Sequence, residues 1–397
     1  MRLRNLFIFI VFIWPSLGHT SDVKDTRLTI GEKNTIYSNI LGEERHYWVS
    51  LPKSYYDKKF APKTYPVVYL LDGEAYFHSV SGMINQMSSG TNGNYQIPEV
   101  ILVAVVNTNR LTNMTPTKSL YTMNGGQHEG FKISGGANQF LSFFEKELFK
   151  EIESSYRVSS HRTMIGHSFG GLVVLHSLLE RPKLFQSYIA LDPSVWWDRY
   201  LLVDQITNLK KDDGSLNGEV YIAAANNSHS PKLTDKQKQF EKGLQRFHSS
   251  TFRTEYQYFE KEDHGSVPLI GIYYGLLHNF GGYQIKMTWD DISIAGLNEH
   301  FAKYSSKLGV EMLPPESLVN DLGIHFFGGL PNKAIEFFRL NVANYPQSYN
   351  AYYYLAESLF HNNQKTLALK NYKVSLKLNP SNENARQKLE KLKEYDK

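Results

Sequence analysis

Apolar residues follow two different rhythms along the first two thirds of the chain. Residues 65–71 and 100–106 are continuous apolar runs rich in Val, Ile and Leu, which is typical of strands buried on both faces of a parallel sheet. Residues 45–51 alternate apolar and polar side chains instead, as a half-buried edge strand does. The remaining strand-like runs are predicted at residues 35–39, 162–165, 187–191, 219–225 and 254–259.

Apolar residues at helical spacing fill the intervals between these strands. The predicted helices cover residues 138–156, 172–179, 232–247 and 267–280. Strands that alternate with helices of this length predict an α/β fold, in which a doubly wound, mostly parallel sheet carries helices on both faces. We assign residues 19–285 to this domain.

Strand signals vanish after about residue 285, and helical periodicity dominates residues 313–397. Residues 349–382 match the helix-pair pattern of a tetratricopeptide repeat, which has a period of about 34 residues, and a less regular unit precedes them. Residues 384–395 would form a cap helix. Residues 286–312 are interpreted as a linking and packing segment. The sequence thus predicts a small all-α, tetratricopeptide-like module, with an arbitrary helical bundle as the alternative.

The N-terminus has the features of a secretory signal peptide over residues 1–18. Arg2 and Arg4 precede an apolar stretch at residues 6–14, and small residues follow at Ser16 and Gly18. The apolar stretch is shorter than the roughly 20 residues that span a bilayer. The net charge of +4 gives no case for nucleic-acid binding, and the absence of cysteine excludes disulfides and a thiol nucleophile. We expect a bacterial periplasmic or secreted protein without stable membrane insertion.

Residues 166–171, Gly-His-Ser-Phe-Gly-Gly, stand between a predicted strand and a predicted helix. This is the context of a nucleophile elbow, a sharp turn that projects a serine hydroxyl from the end of a sheet. Ser168 is therefore the candidate nucleophile. The N–H groups of Phe169 and Gly73, the latter in the turn after residues 65–71, are the candidate oxyanion hole.

A serine nucleophile needs a base, and in this chain order the base follows the last strand. His264 occupies that position, directly after residues 254–259 and before an apolar helix. The acid is open. The loop after residues 219–225, where it normally lies, contains no carboxylate. Asp192, at the end of a neighbouring strand, a Ser–His dyad without an acid, and another carboxylate remain as alternatives.

Several motifs together resemble the putative-esterase family of α/β hydrolases, which contains the enterochelin and salmochelin esterases and esterase D-like enzymes. The matching stretches are residues 68–73, 109–116, 134–137, 166–171, 193–197 and 263–267. Two departures are Asn113, where the family usually has Asp, and the Asn-rich loop at residues 226–230. Arg110, Trp196 and Trp197 lie in these motifs and are candidate substrate-binding residues, although paired tryptophans are equally common in cores.

These observations predict an exported serine esterase that uses Ser168 and His264, needs no metal or organic cofactor, and cleaves small-molecule esters of siderophore type or other bulky esters. Two alternatives stay open. The same acyl-enzyme could transfer its acyl group to an alcohol, or the protein could be a periplasmic adaptor that binds a protein partner through its repeats. Because two repeats cannot bury their apolar faces alone, we expect them to dock on the first domain, through residues 267–280 or beside the active-site mouth.

Overall fold

The structure is a computed structural model that describes residues 28–90, 95–210, 216–227 and 230–395. The predicted signal peptide lies outside these residues. No helix in the described ranges is both long and apolar enough to cross a lipid bilayer.

Within these described ranges, eight strands form a single sheet in the order β1-β2-β4-β3-β5-β6-β7-β8. β1 pairs antiparallel with β2 and β2 antiparallel with β4, whereas all pairs from β4 to β8 are parallel. The predicted α/β class with a mostly parallel sheet is therefore confirmed. The strands are β1 (Glu32–Ser38), β2 (Glu43–Ser50), β3 (Tyr65–Leu70), β4 (Ile101–Val105), β5 (Val158–His167), β6 (Ser187–Leu191), β7 (Gly218–Ala225) and β8 (Phe252–Phe259).

The helices of the first domain follow the strands in alternation. They are α1 (Gly73–Ser88), α2 (Arg110–Met114), α3 (Ala137–Phe143), α4 (Phe149–Ser155), α5 (Phe169–Glu180), α6 (Trp197–Asn208), α7 (Pro231–Gln245) and α8 (Val267–Asn279). A π-helical turn at Phe144–Leu148 joins α3 to α4, so the predicted helix at residues 138–156 is one helical path with a wider turn in its middle.

Alternate side chains of each buried strand feed two separate cores. In β3, Val68 and Leu70 belong to the core that α1 and α8 cover, and Tyr69 belongs to the opposite core under α3 to α7. Both faces of β3 are buried because each face carries a helical layer. This explains why its sequence is continuously apolar rather than alternating.

The C-terminal region is all helical and consists of α9 (Ile294–Leu308), α10 (Glu316–Phe326), α11 (Pro331–Asn344), α12 (Tyr349–His361), α13 (Lys365–Leu378) and α14 (Glu383–Tyr395). Helix α9 lies in residues 286–312, which are predicted from the sequence as a linking and packing segment. Its buried residues Leu297, Phe301, Tyr304 and Leu308 recur at helical spacing. The signals for this helix were present, since the Ser293 side chain caps its N-terminus and Gly309, with a positive φ, ends it.

Helices α9 to α14 share one continuous core with the face of the sheet that α1 and α8 cover. The contacts lie at the edge where the parallel strands begin, which we call the amino-terminal edge. There the Nδ1–H of His161, in β5, donates to the Leu308 carbonyl at 2.9 Å, and burial lowers the pKa of this histidine to about 4. The Tyr304 hydroxyl donates to the Phe280 carbonyl at the end of α8.

A buried carboxylate strengthens the same junction. Glu316, in α10, accepts a hydrogen bond of 2.8 Å from the Ala61 N–H and another from the Ser348 hydroxyl. Burial raises the pKa of this carboxyl. The helices thus dock next to the end of α8, which is one of the two expected places, and not beside the mouth where the strands end.

Because the two regions share a core, they should unfold together. We predict that Leu297→Ala, which removes a fully buried side chain of α9, lowers the free energy of unfolding by about 2–5 kcal/mol. Thermal or urea unfolding should show one transition that shifts as a whole. The matched control is Leu330→Ala, because Leu330 is 54% exposed and its loss should cost less than about 0.5 kcal/mol. Two separate transitions, only one of them shifted, would contradict the shared core.

Candidate active site

Ser168 stands at the corner between β5 and α5 with a φ of +58°. Such a conformation is strained for a residue with a side chain and is held by its surroundings. A Cβ at Gly166 would lie 2.4 Å from the carbonyl carbon of Gly170, so the two backbones touch across the turn. Gly166 is therefore required by this contact, whereas a Cβ at Gly170 would lie 3.2 Å from Oδ2 of Asp72. The turn leaves the serine at the edge where the strands end.

The loop after β6 also reaches this corner. The hydroxyl oxygens of Ser168 and Ser194 lie 3.2 Å apart, and the Ser194 N–H donates to the Ser168 carbonyl at 3.1 Å. Ser194 is buried. The serine hydroxyl is thus held by a neighbouring hydroxyl in this structure.

His264 and Asp192 are brought together from different strands. His264 lies in the loop between β8 and α8, and its Nδ1 is 2.6 Å from Oδ2 of Asp192, which directly follows β6. Since an ionised carboxylate can only accept, Nδ1 carries the proton and Nε2 is left as the basic nitrogen. The histidine side chain is 47% exposed, whereas the aspartate has no exposure.

The buried Asp192 carboxylate is fully surrounded by donors. Its Oδ1 accepts hydrogen bonds from the Gln237 amide at 2.9 Å, the Asn227 amide at 3.0 Å and the Ala225 N–H at 3.2 Å. Burial alone would raise the pKa of this carboxyl, but the hydrogen bonds from His264, Gln237 and Ala225 outweigh it and lower the pKa. Asp192 is therefore ionised at neutral pH.

The Asn-rich loop after β7, which lacks the expected acid, takes part in this arrangement. Asn227 donates to Asp192, and the Asn226 N–H donates to the Glu262 carbonyl at 2.7 Å, next to the loop that bears His264. Asp263 faces elsewhere: its Oδ1 accepts from the N–H groups of Gly265 and Ser266 at 2.8 and 2.9 Å. These backbone hydrogen bonds are the largest cause of its lowered pKa.

The two candidate oxyanion donors are the first residues of two helices. Gly73 begins α1 and Phe169 begins α5, and the N–H groups of a first helical turn have no partner within the helix. Arg110 connects the two corners, since it donates to both carboxylate oxygens of Asp72 at 2.6 and 3.0 Å and to the His167 carbonyl at 2.9 Å. Arg110 is thus engaged in an ion pair within the protein.

An aromatic wall adjoins the serine, formed by Phe131, Phe169, Trp196 and Trp197. The Phe169 ring lies 5.7 Å from Trp196 and 5.5 Å from Trp197, and Phe131 lies 5.4 Å from Trp197. Trp197 is 1% exposed and belongs to the core, whereas Trp196 is half-buried. Of the two tryptophans, Trp196 therefore has the surface to meet a substrate.

The chain leaves this wall through a left-handed turn. Asp198, Arg199 and Tyr200 have φ values of +45°, +57° and +73°. The Thr117 hydroxyl fixes the turn by donating to Asp198 at 2.7 Å, and the Arg199 guanidinium lies 3.8 Å from the centre of the Tyr121 ring. The turn is therefore anchored to the loop at residues 115–136, which also supplies Phe131.

Sequence reasoning missed a second imidazole at the site. His167 is buried, its Nδ1 lies 2.9 Å from the Tyr76 hydroxyl, and its ring centre lies 4.4 Å from that of His264. The signal was its position inside the elbow motif, directly before the serine. The sequence does not show that the loop after β8 brings the His264 ring against the His167 ring.

The chain is similar in sequence to a known protein family and to named esterases. The family described as "Putative esterase" matches residues 38–283. Ferri-bacillibactin esterase BesA of Bacillus subtilis is 29% identical over 218 residues, which are 52% of this chain and 75% of that protein. The siderophore enterobactin esterase of Emericella nidulans is 33% identical over 146 residues, 34% of this chain and 48% of that protein.

A solved structure shows the same architecture. The IroE-like serine hydrolase from Shewanella oneidensis is 30% identical, with a TM-score of 0.69, and the match covers 79% of this chain and 99% of that one. The match therefore extends beyond the first domain into the helical region.

The contact between Gly166 and Gly170 gives a test of the elbow. We predict that Gly166→Ala destabilises the protein by more than about 2 kcal/mol, because its Cβ would meet backbone that cannot yield without moving the turn. Gly82→Ala is the matched control. Gly82 lies in α1 with nothing within 4 Å of an added Cβ, so alanine should stabilise the helix by about 0.5–1 kcal/mol. Equal melting temperatures for the two variants would contradict the close contact.

Proposed function

This chain belongs to the putative-esterase family and is an esterase, and we propose that it cleaves its substrate through an acyl-enzyme on Ser168, with His264 as the base and Asp192 as the orienting acid. The observation that carries this proposal is the 2.6 Å hydrogen bond between His264 and Asp192 at the edge where the elbow presents its serine. This assignment favours a triad over the dyad, because the carboxylate is ionised and contacts the nitrogen opposite Nε2.

Acylation begins when the Ser168 hydroxyl leaves Ser194 and donates to Nε2 of His264. The serine oxygen attacks the ester carbonyl carbon while its proton passes to Nε2, which leaves a tetrahedral oxyanion and an imidazolium. Asp192 stabilises the imidazolium without taking its proton. The N–H groups of Phe169 and Gly73 stabilise the oxyanion, and the imidazolium then protonates the alkoxide leaving group as the bond to the acyl carbon breaks.

Deacylation repeats the same steps with water. Nε2 of His264 removes a proton from water, the hydroxide oxygen attacks the acyl carbon, and the second tetrahedral intermediate collapses with return of the proton to Ser168. The carboxylic acid is released and ionises in solution. The half-exposed position of His264 gives water access to the base.

Variants of the proposed triad should separate its members. Ser168→Ala and His264→Ala should each lower kcat on an activated aryl ester by at least about 10³-fold, and Asp192→Asn by about 10⁴-fold, because an amide neither fixes the tautomer nor stabilises the imidazolium. Initial rates and labelling of Ser168 by a fluorophosphonate would measure this. Asp263→Asn is the control, with activity expected within about threefold of the parent. A loss below about tenfold in Asp192→Asn would replace the triad by a dyad.

We extend the proposal to the substrate, an ester of siderophore type. Two proteins that are similar in sequence to part of this chain are named as esterases of ferri-bacillibactin and of enterobactin. The half-exposed Trp196 beside the serine suits a bulky aromatic ester. Cationic side chains lie on the nearby rings, with Arg199 on Tyr121 and Lys232 5.1 Å from the centre of Tyr200. A substrate that is both aromatic and anionic would gain from both features.

If the substrate is a bulky ester, loss of the Trp196 side chain should lower kcat/KM on large esters and not on small ones. Trp196→Ala should lower kcat/KM about 10-fold or more on a ferric catecholate trilactone and less than about threefold on an aryl acetate. Trp289→Ala is the matched control, because Trp289 packs against His325 in the helical region. Equal losses on the two esters would count against a wall that selects bulky substrates, and a panel that includes feruloyl esters would identify the preferred class.

Export completes the proposal. The features of residues 1–18 direct the protein to the periplasm or the medium, where an ester taken up from outside the cell would first be met. Cell fractionation with an antibody to the chain would test this location, and retention of the full-length chain in the cytoplasm would refute it.

A further inference from the structure

His167 is a second imidazole in contact with the proposed base, and we propose that it is a positioning residue that fixes the ring plane of His264 so that Nε2 meets the Ser168 hydroxyl. This inference rests on the proposed function and deepens it. His167 touches no reacting atom in the proposed mechanism. It would act through His264 alone.

The base needs such a support because its own anchors are few. The His264 ring is 47% exposed on the loop between β8 and α8, and the hydrogen bond to Asp192 holds it at Nδ1. A ring held at one corner can still pivot about that hydrogen bond. The His167 ring, with its centre 4.4 Å away and its plane inclined by 41°, packs on the protein side of His264 and removes this freedom.

His167 is itself fixed by α1. Its Nδ1 lies 2.9 Å from the Tyr76 hydroxyl, and the Tyr76 ring stands at 90° to the imidazole with the centres 6.1 Å apart. Tyr76 lies one turn into the helix that begins at Gly73, the candidate oxyanion donor. Helix α1 would therefore position both the base and one half of the oxyanion hole.

The charge state of His167 suits this role. The pKa of His167 is lowered to about 4, mainly by burial and then by the neighbouring His264 and Arg110, which outweigh the opposite effect of Asp192 and Asp72. His167 is therefore neutral at neutral pH. A neutral ring does not repel the imidazolium that forms on His264 during acylation, whereas a second cation at this distance would oppose it.

Nε2 of His167 is buried and unpaired in the described part of the structure. A buried polar atom without a partner is a cost that an apolar ring of similar shape avoids. Phenylalanine at this position should therefore retain the support for His264, and alanine should remove it.

The experiment compares variants at His167 with a buried histidine outside the site. His167→Ala should lower kcat on an aryl ester by about 10- to 100-fold with KM within about twofold, because a misplaced base slows the chemical step without changing substrate binding. His167→Phe should restore kcat to within about threefold of the parent. Tyr76→Phe should fall between the two, since it frees the supporting ring but leaves it in place.

The same assay includes a control variant at His176, a buried histidine outside the site. His176→Ala truncates a buried histidine of α5 that contacts Asn138, and its kcat should stay within about twofold, with circular dichroism confirming that every variant is folded. The inference is overturned if His167→Ala keeps its kcat, if His176→Ala loses as much, or if His167→Phe is as slow as His167→Ala. Full activity in Ser168→Ala would instead refute the proposed mechanism, independently of His167.

Discussion

A carboxylate with no solvent exposure has to be compensated, and at Asp192 that requirement connects the elements around the proposed active site. Its donors come from the end of β7, from the loop that follows it, from α7 and from the loop after β8. Loss of any one donor leaves a buried charge less well satisfied, which is far more costly than loss of a surface contact. The geometry of His264, the proposed base, is therefore coupled to the packing of the whole edge.

The fold was predictable where the sequence pattern reflects burial directly. β3 and β4 are apolar throughout because both of their faces are covered. The helical spacing of apolar residues in 267–280 likewise predicts α8. Residues 286–312, which contain α9, are predicted only as a linking and packing segment because they lie between two regions whose patterns differ. The apolar face of α9 is buried by the sheet and by α10 to α14. Its packing therefore depends on tertiary contacts that the local sequence does not show.

The site was predictable to the extent that its residues are local in sequence. Ser168 and Phe169 lie in a motif whose first glycine, Gly166, is required by one backbone contact, and chain order favours His264 as the base. The sequence leaves the acid open because a carboxylate can reach the proposed base from either neighbouring strand end. The placement of the loops is what brings Asp192 to His264. His167 was missed for a similar reason. Its neighbour along the chain is Ser168, the proposed nucleophile, but its neighbour in space, His264, lies almost a hundred residues later in the sequence.

The helices at the amino-terminal edge have a consequence for how this protein can change over generations. They share their core with α1, α8 and one face of the sheet, so substitutions of their buried residues lower the free energy of unfolding. The loops at residues 107–136 and 193–200 lie at the other edge, and apart from buried positions such as Met114 and Trp197 they contribute little to the cores. Mutations that alter which ester fits can accumulate in them while the helical region keeps the scaffold folded. The two ends of the sheet thereby separate selection on substrate choice from selection on stability, which is the condition under which a scaffold is evolvable.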